Sequence, residues 1–219
     1  MITATRRQDQ RIALLSRSIL PFIALGRSES QGDFPWIDLD FEGAAARSVA
    51  ELVAHGHSRI AVALPDSDAM LGYNYRRGFM EAMALAGLPV DQSLIFRVPT
   101  SEAGGYELGK CIVMASHRPS AVILCCEATT VGLYACLQQH GLVPGADLSI
   151  ITFRENPQMR FLVPAPACFR VNLVQIGRLL AERVLARLQE SSDAGAGTSP
   201  ENSVVPMEFL PGPSVVMLR

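Results

Sequence analysis

The sequence predicts an α/β fold built on a parallel sheet, and three observations carry that prediction. Short apolar runs alternate with stretches of helical periodicity along the 219 residues, the βαβα order that yields parallel strands. Residues 59–64 (RIAVAL) and 121–126 (AVILCC) are apolar almost throughout, as strands covered on both faces must be. Gly56, Gly87 and Gly141 each stand where a periodic stretch stops, the usual place for a helix-ending glycine. No internal repeat is present.

Taken in order, residues 21–25 (PFIAL) are the first strand candidate, followed by a polar loop over 26–33 and an extended stretch over 36–40. Asp40 can cap a helix reaching about residue 55, with Ala45, Val49 and Leu52 on one face. After the strand at 59–64, a helix runs from about residue 72 with Tyr75, Phe79, Ala82, Met83 and Ala86 facing inward; Gly87 ends it and Pro89 blocks its resumption. Residues 94–98 form a strand, 103–116 a helix, 121–126 a strand, 128–140 a helix and 148–153 (LSIITF) a strand. Residues 156–166 hold three prolines and read as an irregular loop. A short strand at 169–171 precedes Asn172 and Gln175, which make a capping box for a helix whose apolar face is Leu173, Ile176, Leu180, Val184 and Leu188. Residues 191–202 are rich in Ser, Gly, Ala and Pro, and residues 204–218 supply one or two terminal strands broken at Pro211-Gly212-Pro213.

Composition narrows the function. Hydrophobic residues make up 49% and charged residues 18% of the chain, with a net charge of -2. That is a globular composition, without the basic surface that phosphate binding demands of a self-sufficient nucleic-acid binder. Five cysteines in no disulfide framework suggest a reducing, cytoplasmic setting. The first ten residues are polar, with no apolar core of a signal peptide, and no apolar run reaches membrane-spanning length.

The sequence carries no cofactor motif and no metal-ligand spacing. There is no GxGxxG after a strand, no Walker-type loop and no GxSxG elbow. His55 and His57 flank Gly56 at i, i+2 and so do not share a helix face; they read as part of a turn. What stands out is polarity just after the apolar strands: Asp66 and Asp68, then Glu127, then Arg154 and Glu155. Open α/β sheets place ligands at the carboxyl ends of their strands, although any α/β strand also ends in a polar loop.

The residues then show a resemblance. Asp38-Leu39-Asp40-Phe41-Glu42-Gly43-Ala44, followed by Leu52 and Gly56-His57-Ser58-Arg59-Ile60-Ala61, is similar to the D-x-D-x-x-G-A…L…G-H-x-R-I-A signature of the lactose-repressor/galactose-repressor (LacI/GalR) family of transcriptional regulators. Arg77-Gly78-Phe79 with Ala82, Met83 and Gly87, then Pro119 to Ile123, Gly132, and Gly141-Leu142-Val143-Pro144 through Asp147-Leu148-Ser149-Ile150, continue the match in order. Pro21-Phe22 through Gly26-Arg27 also fits. The resemblance implies a type I periplasmic-binding-protein-like fold: two Rossmann-like lobes joined at hinge crossovers, with a small-molecule effector in the cleft. It implies that residues 1–37 and 168–189 form a partial amino-terminal lobe, that 38–167 and 203–219 form the carboxyl-terminal lobe, and that 190–202 is a flexible loop. The helix-turn-helix head, hinge helix and first βα units would precede Met1, so that operator DNA is reached only through that head.

The family's usual sugar contacts are substituted. The helix arginine three residues before Gly78 is Tyr75; the Asn of the usual Asn-Asp pair is Cys126, followed by Glu127; the Asp of the usual Gly-Phe-Asp turn is Arg154; the stacking aromatic falls near Thr100. The ligand-facing candidates are therefore Asp38, Asp66, Tyr73, Tyr75, Thr100, Cys126, Glu127 and Arg154. Bidentate Arg, Asn and Asp contacts are what make such a pocket prefer sugars. Their replacement, with Arg154 bringing a positive charge, leaves a sugar or an anionic metabolite as effector, or lost effector binding. Family dimers form partly through the helix after the Asn-Asp position, where Val131, Leu133 and Leu137 supply either a homodimer contact or core packing. A transporter's solute-binding protein and a headless, dimer-forming remnant are the alternative functions.

Overall fold

A computed structural model describes residues 1–190 and 202–218; the expected flexible loop falls mostly outside the described residues. Chain contacts divide it into two units. The first comprises Met1–Asp40, Asp68–Tyr73 and Asn172–Met207; the second comprises Phe41–Ser67, Asn74–Val171 and Glu208–Arg219.

The second unit is the α/β body that the sequence predicts. Its strands are β3 (Ile60–Pro65), β4 (Ile95–Val98), β5 (Ala121–Leu124), β6 (Ser149–Arg154), β7 (Ala167–Arg170) and β9 (Glu208–Leu210). They form one sheet in the order β4-β3-β5-β6-β7-β9. All neighbours are parallel except β9, which runs antiparallel to β7. β3 and β5 are buried at every position, which is why they lack the alternation of a one-sided strand. Helices α4 (Glu102–Met114) and α5 (Glu127–Gln139) cover one face, where Leu108, Ile112, Leu133 and Leu137 meet Ala61, Ala63, Val122, Leu124 and Ile150. Helix α2 (Phe41–Ala54) packs on β5 from the other side, and α3 (Met70–Leu85) lies against α2.

Two close approaches depend on glycine. A Cβ at Gly132 of α5 would stand 1.8 Å from the Glu102 carbonyl oxygen, and one at Gly105 of α4 would stand 2.0 Å from that of Thr129. The α4–α5 pair is thus packed backbone to backbone, at a separation no larger residue permits.

The first unit is smaller. β1 (Ala24–Leu25), β2 (Trp36–Leu39) and β8 (Ser203–Val205) form a three-stranded parallel sheet in the order β1-β2-β8. Ile2, Ile12, Ala24 and Phe34 make its core. Helix α1 (Gln10–Leu15), which the sequence pattern does not reveal, begins where the Asp9 carboxylate accepts from the Arg11 backbone N–H. It buries only Ile12, too little for a periodic signal. Helix α6 (Leu173–Glu190) starts as expected, with the Asn172 side chain accepting from Gln175 N–H at 3.0 Å. It packs on β2 and, among its described side chains, buries only Ile176 and Leu180, leaving Leu173 and Leu188 exposed.

Three expectations about this region are corrected. Residues 21–25 shrink to the two-residue β1: Pro21 has no N–H to give, and the Ile23 carbonyl accepts instead from Ile2 N–H, leaving only Ala24 and Leu25 on the ladder with β2. The strand near Phe169 does not join the first sheet: β7 pairs with β6 and β9, and Phe169 stacks edge-on against Phe209 at 5.2 Å. Residues 203–219 do not all go to the larger body, since β8 pairs with β2 and only β9 pairs with β7. No helix among the described residues is long and apolar enough to cross a membrane.

Candidate functional site

The carboxyl edge of the six-stranded sheet gathers most of the predicted positions. Thr100 follows β4, Asp66 follows β3, Cys126 and Glu127 follow β5, and Arg154 ends β6. The sheet order puts them side by side in that sequence. Side-chain alternation along β6 sorts its last residues. Thr152 and Arg154 turn toward α5, where Thr152 Oγ1 lies 2.5 Å from Thr130 Oγ1 and Arg154 Nε donates to Glu127 Oε1 at 2.9 Å. Phe153, between them, turns to the opposite face. There its ring centroid lies 5.7 Å from Phe41 and 6.3 Å from Tyr75, while Phe41 and Tyr75 are 5.8 Å apart. Beside β7, the register slips between Ile151 and Arg154, a bulge of the kind that re-aims side chains at sheet ends.

Tyr75 is fully buried, and its hydroxyl has no hydrogen-bond partner. Burial drives its pKa well above the ordinary tyrosine value, and Cys125 and Glu127 push it further the same way. Burial likewise raises the Cys125 thiol, with Cys126 adding to the effect. Cys126 is the amino-terminal cap residue of α5, and its carbonyl accepts from Thr129 and Thr130 hydroxyls at 2.7 and 3.2 Å. Glu127 occupies the first turn of that helix, where a carboxylate is favoured by the helix dipole.

The positive charge expected from Arg154 is thus already matched by Glu127. Glu155, the next residue, is matched by Arg170 at 2.9 Å. Asp66 is exposed and forms no ion pair among the described residues.

Two predicted residues lie in the first unit. Asp38, near the end of β2, is buried and accepts from Arg27 Nε at 2.7 Å. Its pKa is raised because burial outweighs the stabilising Arg27 cation. The Tyr73 hydroxyl donates to Asp68 at 2.7 Å, with the Arg7 guanidinium 5.0 Å from its ring centre. Leu133 and Leu137 are wholly buried in the core under α4. They are unavailable as subunit contacts, and the core-packing role holds for both; Val131 is half-buried. From sequence, neither Phe41 nor Phe153 is among the ligand-facing candidates. The available signal for Phe41 is its place directly after the extended 36–40 stretch, as the first residue of α2.

Three cavities lie away from these residues. One of about 520 Å³ is lined by Asp9, Ser16 and Arg17, one of about 500 Å³ by His57, Ser120 and Asp147, and one of about 430 Å³ by Met159, Pro166 and Cys168. None is lined by Asp66, Tyr75, Glu127 or Arg154. The second lies beside the buried His57, whose ring bridges Ser120 Oγ at 2.9 Å and the Val216 carbonyl at 3.0 Å. No trio of His, Cys, Asp or Glu side chains among the described residues is placed to hold a metal ion.

Comparison with known proteins fits this geometry. The model of the periplasmic binding protein-like domain family matches residues 49–215. The chain belongs to this family. It is 27% identical to the HTH-type transcriptional regulator AglR of Rhizobium meliloti, over 94% of this chain and 63% of that protein. A regulatory protein of the LacI family from Chloroflexus aggregans superposes with a TM-score of 0.86 at 26% identity, covering 97% of this chain and 75% of that one. A LacI family transcriptional regulator from Enterococcus faecium, solved with bound ribose, has a TM-score of 0.80 at 22% identity, with 96% and 75% covered. The chain spans less than two thirds of the length of AglR and of a PurR repressor of Glaesserella parasuis that it matches.

Proposed function

We propose that this chain is the effector-sensing and dimer-forming module of a LacI-type transcriptional regulator, a cytoplasmic binding protein rather than an enzyme. The observation that carries this reading is the likeness to an HTH-type regulator over 94% of the chain. The strand-end cluster of the larger unit supports it, because it is polar and sits where α/β sheets bind ligands. The effector is a sugar-sized polar molecule, and operator DNA is contacted through a helix-turn-helix head in the whole protein. Effector binding favours one conformational state over another and so changes operator affinity.

The test is a thermal-shift screen of sugars and nucleosides, followed by DNA-binding titrations of the full-length regulator on its own upstream region. A hit is expected to alter DNA affinity by about 5-fold or more, the usual range of allosteric coupling. DNA affinity indifferent to every ligand that binds would overturn the proposal.

A further inference from the structure

The amino edge of the six-stranded sheet, opposite the edge that carries Glu127 and Arg154, holds a pair of side chains that effector sensing does not use. β3 and β5 are adjacent and parallel, with Ile60 opposite Ala121. Ser120 immediately precedes β5, and His57 lies just before β3, so the sheet brings the two together. His57 Nδ1 is 2.9 Å from Ser120 Oγ, and His57 Nε2 is 3.0 Å from the Val216 carbonyl oxygen. A carbonyl oxygen only accepts, so Nε2 carries the ring proton. Nδ1 of the neutral ring is then an acceptor, and the Ser120 hydroxyl donates to it. The hydroxyl's other acceptor, the Arg59 carbonyl, is farther away at 3.5 Å. The Val216 backbone is itself anchored, its N–H donating to Ser149 Oγ at 3.2 Å. Burial lowers the His57 pKa, with His55 acting the same way, so the ring is unprotonated at neutral pH.

This is the arrangement that activates a hydroxyl: a nucleophile within hydrogen-bond reach of a base, and a third group that orients the base. It also borders open space. A cavity of about 500 Å³ is lined by His57, Ser120, Asp147 and Ser149, within the size range of small-molecule sites. His57 is buried and Ser120 half-buried, so the base is shielded while the hydroxyl stays within reach of a small reagent.

We infer that Ser120 is a covalent modification site, acylated by small activated acyl donors of the thioester or aryl ester class with His57 as general base. Ser120 Oγ bonds to the acyl carbon as the bond from that carbon to the leaving group breaks. The hydroxyl proton passes to His57 Nδ1 and from there to the departing thiolate or phenolate. The product is one ester per chain, a mark on the protein rather than a turnover cycle. It is independent of the effector-sensing reading, which concerns the opposite edge of the sheet.

The experiment is incubation of the chain with p-nitrophenyl acetate, with peptide mapping by mass spectrometry to follow the rate of acetylation at Ser120 itself. Ser120 is expected to react about 100-fold faster than in the urea-unfolded chain, the scale of a positioned general base. Ser120→Ala should remove the label from that peptide, and His57→Gln should bring the Ser120 rate down toward the unfolded level. The wild-type pH profile gives a readout that does not depend on how well His57→Gln folds. Between about pH 5.5 and 9 a general base gives a rate that rises to a plateau as it loses its proton, whereas an unassisted serine keeps gaining with pH. The midpoint should lie below 6.5, with His55 and, on the cavity wall, Asp147 as the titratable neighbours of His57. A Ser120 rate no greater than in the unfolded chain, a rate that climbs across the whole pH range, or one that a folded His57→Gln leaves unmoved overturns the inference.

Discussion

Replacing Tyr75 by phenylalanine should stabilise this protein, although deleting a polar contact from a core usually does the reverse. The ring is fully buried and packs against Phe41 and Phe153. Phenylalanine keeps all of that surface. The hydroxyl has no partner, so folding strips it of water without return, at a cost of about 1–3 kcal/mol. Tyr75→Phe removes that cost, and a gain of about 1 kcal/mol corresponds to a rise of roughly 2–4 °C in Tm for a chain of this size. Tyr134 is the internal control. It is also buried, but its hydroxyl donates to the Pro164 carbonyl at 3.0 Å. Tyr134→Phe should therefore destabilise by about 1 kcal/mol. Urea unfolding of the wild type and both variants gives the two signs side by side. If Tyr75→Phe loses stability as Tyr134→Phe does, the Tyr75 hydroxyl is bonded in solution and the reasoning fails.

Two further outcomes are expected. Gly132→Ala should cost several kcal/mol and lower Tm markedly, because a methyl group 1.8 Å from the Glu102 carbonyl forces α4 and α5 apart; an unchanged Tm would mean that the pair separates without strain. His57, buried between Ser120 and the Val216 carbonyl, has its pKa lowered chiefly by burial, with His55 acting the same way against the Val216 hydrogen bond. A base whose folded pKa lies below its unfolded value of 6.5 contributes stability that is intact above that pH and declines as pH falls below it. Urea midpoints at pH 8 and pH 5.5 should therefore fall further in the wild type than in His57→Gln, and equal falls would show that His57 is not the group responsible.

How much the sequence reveals depends on which neighbours a residue needs. The strands at 60–65 and 121–124 are apolar at nearly every position because they are covered on both faces, so their pattern is self-contained. The positions of Asp66, Glu127 and Arg154 follow from the same reasoning, since each comes at or just past a legible strand end, whereas Thr100 comes from the family resemblance alone. The pairing of Arg154 with Glu127 does not. It depends on β5 lying next to β6 and on the side to which Arg154 turns, and neither is written in a local window. Leu133 and Leu137 show the same limit: a helical face of leucines looks alike whether it meets α4 or a second subunit. The sheet membership of residues 167–170 and 203–205 is not legible either, because both are short strands, one shared between β6 and β9 and the other paired with β2 from the far end of the chain.

That long-range pairing bears on how the protein is made. Residues 203–210 deliver one edge strand to each sheet, β8 beside β2 and β9 beside β7. Just beyond them, Ser214 is buried, donating to the Ile150 carbonyl at 2.6 Å and accepting from Ala167 N–H at 2.8 Å. A ribosome working from the amino terminus can therefore complete neither unit until this short segment has left the exit tunnel. The helices and central strands must wait with both sheets open at an edge. A nascent chain stalled before residue 203 would present two incomplete sheets at once, and release of one segment would close both.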